Sequence, residues 1–330
     1  MIDTVYIEKE IESHPRTKEV CERFPKARRV FCERYGEVFN PNAQNFRLQK
    51  QKPALILAKK FDHFILKTQK GYGIGGDHNF YFSHMLNCLY DCRYCFLQGM
   101  YRSAHFVFFV NYEDFEHAIE KQIKEAGSEE SYFFSGYDCD SLAFEPVTGF
   151  TSHFLPLFAR HPKAWLELRT KSIQIKPLLE MKPVQNCVIA FSLTPTEIGA
   201  ALEAKTPAVT KRLEAMEKLQ ERGWKLGLRF DPLIYHAQYQ EQYERLFREV
   251  FKKIKIPSVH SVSLGPFRLP KQGYETMFKL YPEAKLFAGP LEERKGMVSY
   301  AQKIEEEMLN FITSRLLEYV PKNIFFPCLI

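Results

Sequence analysis

The chain has 330 residues, 45% apolar and 15% aromatic, enough for one large domain or two ordinary ones, which excludes a disordered tail and a disulfide miniprotein. Its 46 basic and 40 acidic side chains leave a net charge of +6, a mild bias that permits a nucleic-acid partner without demanding one. No apolar run approaches the ~20 residues of a membrane helix, and the acidic start carries no apolar signal core, so a cytoplasmic protein with no membrane partner is expected.

Residues 1–75 are rich in Lys, Arg and Glu, with Asn40, Pro41, Asn42 and Asn45 breaking any period. They are expected to form an N-terminal extension that wraps a larger unit or closes its bottom. The segment GYGIGGDH at 71–78 lacks the Lys and Ser/Thr of a phosphate loop and precedes a strand, so it is not read as one. Residues 76–270 carry short apolar runs at 79–86, 131–137, 164–169, 187–193, 225–230 and 259–264, each the length of a buried strand. Helical stretches lie between them at 112–126, 173–181, 209–222 and 241–253. Alternation of strand and helix implies parallel neighbours joined by crossovers, and six units imply a partial (β/α)6 TIM-type barrel of parallel strands. From residue 271 a C-terminal extension is expected, with one long amphipathic helix at 298–320 and a strand-like NIFF before Pro327.

Eight cysteines occur, and Cys21, Cys32, Cys187 and Cys328 are scattered in a way that suits structural roles. Cys88, Cys92 and Cys95 instead stand as C-x3-C-x2-C directly after the first barrel strand. In β/α barrels the carboxyl ends of the strands are where chemistry is assembled. Three thiolates there can hold three irons of a [4Fe–4S] cluster and leave the fourth open as a binding site. The competing readings are zinc, with His84 or a remote residue as fourth ligand, and three core cysteines. Structural zinc favours paired C-x2-C units, and no second pair follows.

The pattern C-x3-C-x-aromatic-C, with Tyr94 at the aromatic position, resembles the signature of radical S-adenosylmethionine enzymes. Within that superfamily the chain resembles spore photoproduct lyase and its photolyase-like relatives nearly end to end. The resemblance is carried by VYIE at 5–8, YCFLQ at 94–98, FVNYEDF at 109–115, Arg169-Thr170-Lys171, FSL around Ser192 and TPAVTKR at 206–212. It continues through GLRFDPLIY at 227–235 and LYP at 280–282 to a Phe-Pro near the carboxyl terminus.

The resemblance implies a [4Fe–4S] cluster on Cys88, Cys92 and Cys95, with S-adenosyl-L-methionine chelated at the open iron. Cleavage of its sulfonium gives a 5′-deoxyadenosyl radical that abstracts hydrogen from the substrate. It also implies that Lys171 and Ser192 bind the cofactor carboxylate and that Asp140 lies beside its amino or ribose groups. The implied partners are DNA and a one-electron reductant such as flavodoxin or ferredoxin, with the protein a monomer.

Lyases of this type split a thymine dimer, with a cysteine returning hydrogen to the product and two tyrosines relaying it. This sequence departs there. The donor cysteine's position is Tyr137, and the second relay tyrosine is Phe96, which leaves Tyr94 alone of that pair. If 131–139 runs as one extended strand, Tyr137 and Cys139 share a face, so a donor shifted by two residues still looks into the same cavity. Cys139, Tyr137 and Tyr94 are therefore the catalytic candidates. Arg268 and Lys271 after the sixth strand, and Arg294 with Lys295 near Gly296, are the candidate phosphate contacts. The leading expectation is a radical S-adenosylmethionine lyase that repairs or modifies pyrimidine lesions in DNA. The alternatives are the same chemistry on RNA, a peptide or a small molecule, and a zinc-stabilised nucleic-acid-binding protein without catalysis.

Overall fold

The computed structural model describes residues 2–69 and 71–328. Its larger sheet contains the six parallel strands expected: β1 (His78–Phe82), β2 (Ser131–Ser135), β3 (Ala164–Thr170), β4 (Cys187–Ser192), β5 (Lys225–Leu233) and β6 (Val259–Pro266). They lie side by side in chain order, with the two-residue strand Leu66–Lys67 antiparallel on the outer edge of β1. Consecutive neighbours are all parallel, so each needs a crossover, and the helices Tyr112–Ala126, Phe150–Arg160, Lys176–Glu180, Val209–Glu221 and Tyr239–Lys253 supply them. The strands read as near-continuous apolar runs because both faces are covered. The expected helix at 173–181 is shorter, since Pro177 suits only the first turn of a helix and Lys176–Glu180 is all that forms.

The barrel is filled. Glu167 on β3 and Arg229 on β5 form a buried ion pair at 2.7 Å, and Arg229 also donates to the Ser261 hydroxyl at 2.7 Å. Beside them Ile74, Tyr132, Phe134 and Val188 make a small apolar cluster. The glycine-rich segment covers this side: a Cβ on Gly75 would stand 2.6 Å from the Tyr132 hydroxyl, so the backbone itself is the packing surface. At the other open edge, Phe326 N donates to Val262 O at 2.8 Å and Cys328 N to Leu264 O at 2.7 Å, which lays the carboxyl-terminal segment along β6.

Residues before 76 do more than wrap the barrel. Arg28–Cys32, Thr4–Glu8, Leu55–Ala58 and Phe106–Phe109 form a second parallel sheet in that order, with Met85–Leu86 antiparallel on its far edge. The expected strand at 79–86 is thus two strands in two sheets, and residues 85–109 fasten the N-terminal sheet to the barrel. In the C-terminal part the helix is Gln302–Leu316, shorter than 298–320 because Met297–Tyr300 pairs with Leu291–Arg294 as a hairpin. Of NIFF, Asn323 and Ile324 lie in the 3-10 turn Lys322–Ile324, and Phe325 makes a single parallel bridge to Val262 in place of a full strand. Between β2 and the helix Phe150–Arg160, the buried carboxylate of Glu145 receives Thr151 N at 3.1 and 3.3 Å. Burial pushes its pKa up to about 7, against the pull of those donors. None of the helices is long and apolar enough to cross a membrane among the described residues.

Candidate active site at the carboxyl ends of the strands

After β1 the chain enters the loop that holds the three clustered cysteines. Asn87, in a left-handed conformation at φ 68, ties the loop's base shut by donating to Ser103 O at 2.8 Å and His105 O at 2.7 Å. Inside it Cys95 N donates to Cys92 O at 3.1 Å, and Tyr90 N donates to the Cys88 sulfur at 3.4 Å. Two outside segments grip the loop. The buried Lys50 ammonium donates to Cys88 O at 2.8 Å, while Asp91–Cys92 pairs antiparallel with Glu203–Ala204 and Arg93 N donates to Leu202 O at 2.7 Å.

The donor set fits an iron–sulfur cluster. Burial raises the Cys88 thiol to about 12, with Asp140 and Cys95 adding to it and Lys50 opposing. Burial likewise raises Cys92, which feels both Cys95 and Cys88. Three soft donors on one short loop, with an N–H to the Cys88 sulfur, are the ligand type that holds iron–sulfur clusters. Among the described residues no three such side chains stand at metal-holding separations. His84 is no fourth ligand: its buried ring packs against Phe150 at 4.2 Å, on the helix side of the sheet.

Lys171 directly follows β3 and Ser192 ends β4, the neighbouring parallel strand. Burial works against the Lys171 charge, but Cys92 and Glu203 outweigh it and raise its pKa. Its ammonium also lies 5.6 Å over the Tyr94 ring. Asp140, expected beside the cofactor's amino or ribose groups, has both carboxylate oxygens engaged by the protein. Its Oδ1 accepts from Leu142 N at 3.0 Å, Ala143 N at 2.9 Å and the Thr170 hydroxyl at 2.6 Å, and its Oδ2 from Lys171 N at 2.6 Å. The carboxylate is a clasp that fixes the backbone of Lys171.

The sequence reading missed Glu203 and Arg212, which join these parts. Glu203 accepts from both the Tyr94 hydroxyl and the Arg212 guanidinium, all three being buried. Arg212 also donates to Ser192 O at 3.0 Å and the Thr206 hydroxyl at 2.9 Å. Burial opposes the Glu203 charge, yet Lys171 and Arg212 hold its carboxyl below the usual range. The only sequence signal was Arg212 at the end of TPAVTKR.

The strand expected to reach 139 stops at Ser135. Gly136 takes φ +82, and a Cβ there would meet the Ser141 hydroxyl at 2.5 Å, so the chain turns and the two-residue alternation is lost. The strand alternation expected to place Tyr137 and Cys139 on one face is therefore absent. Tyr137 is half-buried and stacks on Tyr81, centroids 4.3 Å apart, and against Phe96 at 5.6 Å. Cys139 is buried in the main core, its thiol raised first by burial and then by Cys88 and Asp140. Asp138 between them is also buried and accepts from the Ser83 hydroxyl.

Arg268 and Arg294 lie in one three-stranded sheet built from Arg268–Pro270 and the hairpin, Lys295 in the hairpin's turn, and Lys271 at the start of the helix Lys271–Leu280 that follows. Lys271 pairs with Glu293 at 2.9 Å, and Arg294 with Glu292 at 3.2 Å and Glu305 at 3.0 Å. Arg268 turns inward to the Cys328 sulfur at 2.9 Å, which leaves Lys295 fully displayed at the hairpin turn.

The family model for spore photoproduct lyase matches residues 76–323. The spore photoproduct lyase of Bacillus subtilis (strain 168) is 25% identical over 251 residues, 73% of this chain and 71% of that protein. That of Geobacillus sp. (strain Y412MC61) is 24% identical over 242 residues, 68% of this chain and 70% of that protein. A mutant spore photoproduct lyase with bound AdoMet and dinucleoside spore photoproduct superposes with a TM-score of 0.86 at 19% identity, covering 99% of this chain and 98% of that one. A spore photoproduct lyase complexed with dinucleoside spore photoproduct gives 0.82 at 19% identity, over 98% and 99% of the two chains. At that identity the likeness concerns the fold. The chain belongs to the spore photoproduct lyase family.

Proposed function

We propose that this protein is a radical S-adenosylmethionine lyase acting on pyrimidine lesions in DNA. The observation that carries the reading is that Cys88, Cys92 and Cys95 share one loop after β1, with the Lys171 ammonium lying over the ring of Tyr94 in that same loop. When bound there, the cluster and S-adenosylmethionine supply a 5′-deoxyadenosyl radical that takes hydrogen from the substrate. The protein's share is placement. Cys88, Cys92 and Cys95 hold three irons, while Lys171 and Ser192 receive the cofactor carboxylate. Asp140 acts through Lys171, and the Glu203–Arg212 pair fixes Tyr94 and the Ser192 carbonyl.

Of the three groups with a hydrogen to return, Cys139 and Tyr94 are each 7% exposed, and the Tyr94 hydroxyl is committed to Glu203. Tyr137 is only half-buried and rests against Phe96, the residue after the third cluster cysteine, so we assign the donor role to it. Its phenolic hydrogen passes as an atom to the product radical, and the one-electron reductant with a solvent proton restores the tyrosine. Lys295, with Arg294 in the same hairpin and Lys271 at the start of the helix Lys271–Leu280, suits the DNA backbone, and the family's known members are named for a lesion of DNA.

The test is incubation of the reduced, reconstituted protein with S-adenosylmethionine and ultraviolet-irradiated DNA, dry- or solution-irradiated, with lesion loss followed by mass spectrometry. Loss of a pyrimidine lesion coupled to 5′-deoxyadenosine formation is expected. Cofactor cleavage with every lesion left intact would contradict the DNA assignment.

A further inference from the structure

We infer that Tyr81, Tyr137 and Phe96 form a stacking platform for one unstacked nucleobase of the DNA substrate, an inference that rests on the proposed function. Tyr81 and Tyr137 are stacked, 28° from parallel at 4.3 Å, and Phe96 leans on Tyr137 at 51° and 5.6 Å. Phe96 directly follows the third cluster cysteine and is 36% exposed. Among the described residues, Phe96 and Tyr137 belong to neither apolar cluster of the interior; Tyr137 packs on Tyr81 and Phe96 on Tyr137. Tyr81 is anchored from below, packed against Ile74, Tyr132 and Phe134, and its strand neighbour Leu66 is 38% exposed.

Three touching rings, Phe96 exposed and Tyr81 and Tyr137 partly so, with Tyr81 on β1 behind them, are costly to leave in water. Aromatic faces of this kind are what single-stranded nucleic acids stack upon, and an enzyme that works on a base must first take it out of the duplex stack. Phe96, directly after Cys95, joins the platform to the cluster loop. Stacking needs the ring and not the hydroxyl, which separates this role from hydrogen donation by the same residue.

The experiment measures binding of the reconstituted protein with S-adenosylmethionine to an end-labelled thymidine octamer and to an abasic octamer of equal charge. Wild type is expected to prefer the base-containing strand, and Tyr137→Leu to erase about 5- to 150-fold of that preference. Tyr137→Phe should keep it within about threefold, and Tyr81→Leu should lower it by loosening the Tyr137 ring. Circular dichroism and iron content show whether each variant is folded, and Tyr81→Leu carries the test should Tyr137→Leu fail to fold. Equal binding of both octamers, or full preference retained in both leucine variants, would overturn the platform while leaving the DNA reading standing. No binding of either octamer would overturn both. Tighter binding of a ribo-octamer than of its deoxy counterpart would overturn DNA as the occupant.

Discussion

The phenolic hydroxyl of Tyr94 donates to the carboxylate of Glu203, 109 residues away, and that carboxylate also holds Arg212. The pair is wholly inside the protein, so each charge depends on the other. Removing one partner of a buried ion pair costs about 3–5 kcal/mol, because the survivor is left unpaired in a poorly solvating interior. Glu203→Ala is expected to lose roughly that much stability in denaturant unfolding, with Glu203→Gln losing less because it still accepts hydrogen bonds. Wild-type stability in Glu203→Ala would show that the network holds nothing together.

Lys171→Met should weaken S-adenosylmethionine binding by about 10- to 150-fold, the worth of a hydrogen bond to a charged group, while iron content stays at the wild-type level. Calorimetric titration of the reconstituted protein measures it. Unchanged affinity would remove Lys171 from the cofactor site.

Asp140→Asn keeps the size of the clasp but turns one acceptor into a donor facing Lys171 N or the Thr170 hydroxyl. Its effect on cofactor affinity is expected to be large in the wild-type background and small in Lys171→Met, since Asp140 acts through that lysine. Additive losses in the double-mutant cycle would mean that Asp140 contacts the cofactor itself.

Glu145 sets a pH dependence of stability. Its pKa is raised in the folded state to about 7, above the ordinary carboxyl value, so the unfolded chain releases this proton first as pH rises. Stability is then lost between about pH 4.5 and 7, by roughly 3 kcal/mol for a shift of this size. Glu145→Gln should flatten that slope, read from unfolding midpoints across the range. An identical slope in the variant would assign the effect to other groups.

Much of this was legible in the sequence where local pattern and tertiary role coincide. The six barrel strands show as apolar runs because both their faces are buried, and Cys88, Cys92 and Cys95 show because their spacing is itself the chemistry. The second sheet did not show: Arg28–Cys32 is an outer strand with mostly exposed side chains, and the apolar Leu55–Ala58 is only four residues long. The turn at Gly136 was hidden because an apolar run with one glycine reads as a continuing strand, and only the Ser141 hydroxyl behind it reveals why the chain must bend. Glu203 could not be read at all. A lone glutamate gains its meaning from Tyr94 and Arg212, which the fold alone brings to it.

Anaerobic reconstitution followed by electron paramagnetic resonance of the reduced protein decides whether Cys88, Cys92 and Cys95 hold a cluster with one iron open to S-adenosylmethionine. About four irons per chain, a reduced-cluster signal that shifts on adding S-adenosylmethionine, and loss of the full cluster on serine substitution at any of the three cysteines are expected. One zinc per chain with no iron uptake, or a cluster signal indifferent to S-adenosylmethionine, would contradict that assignment.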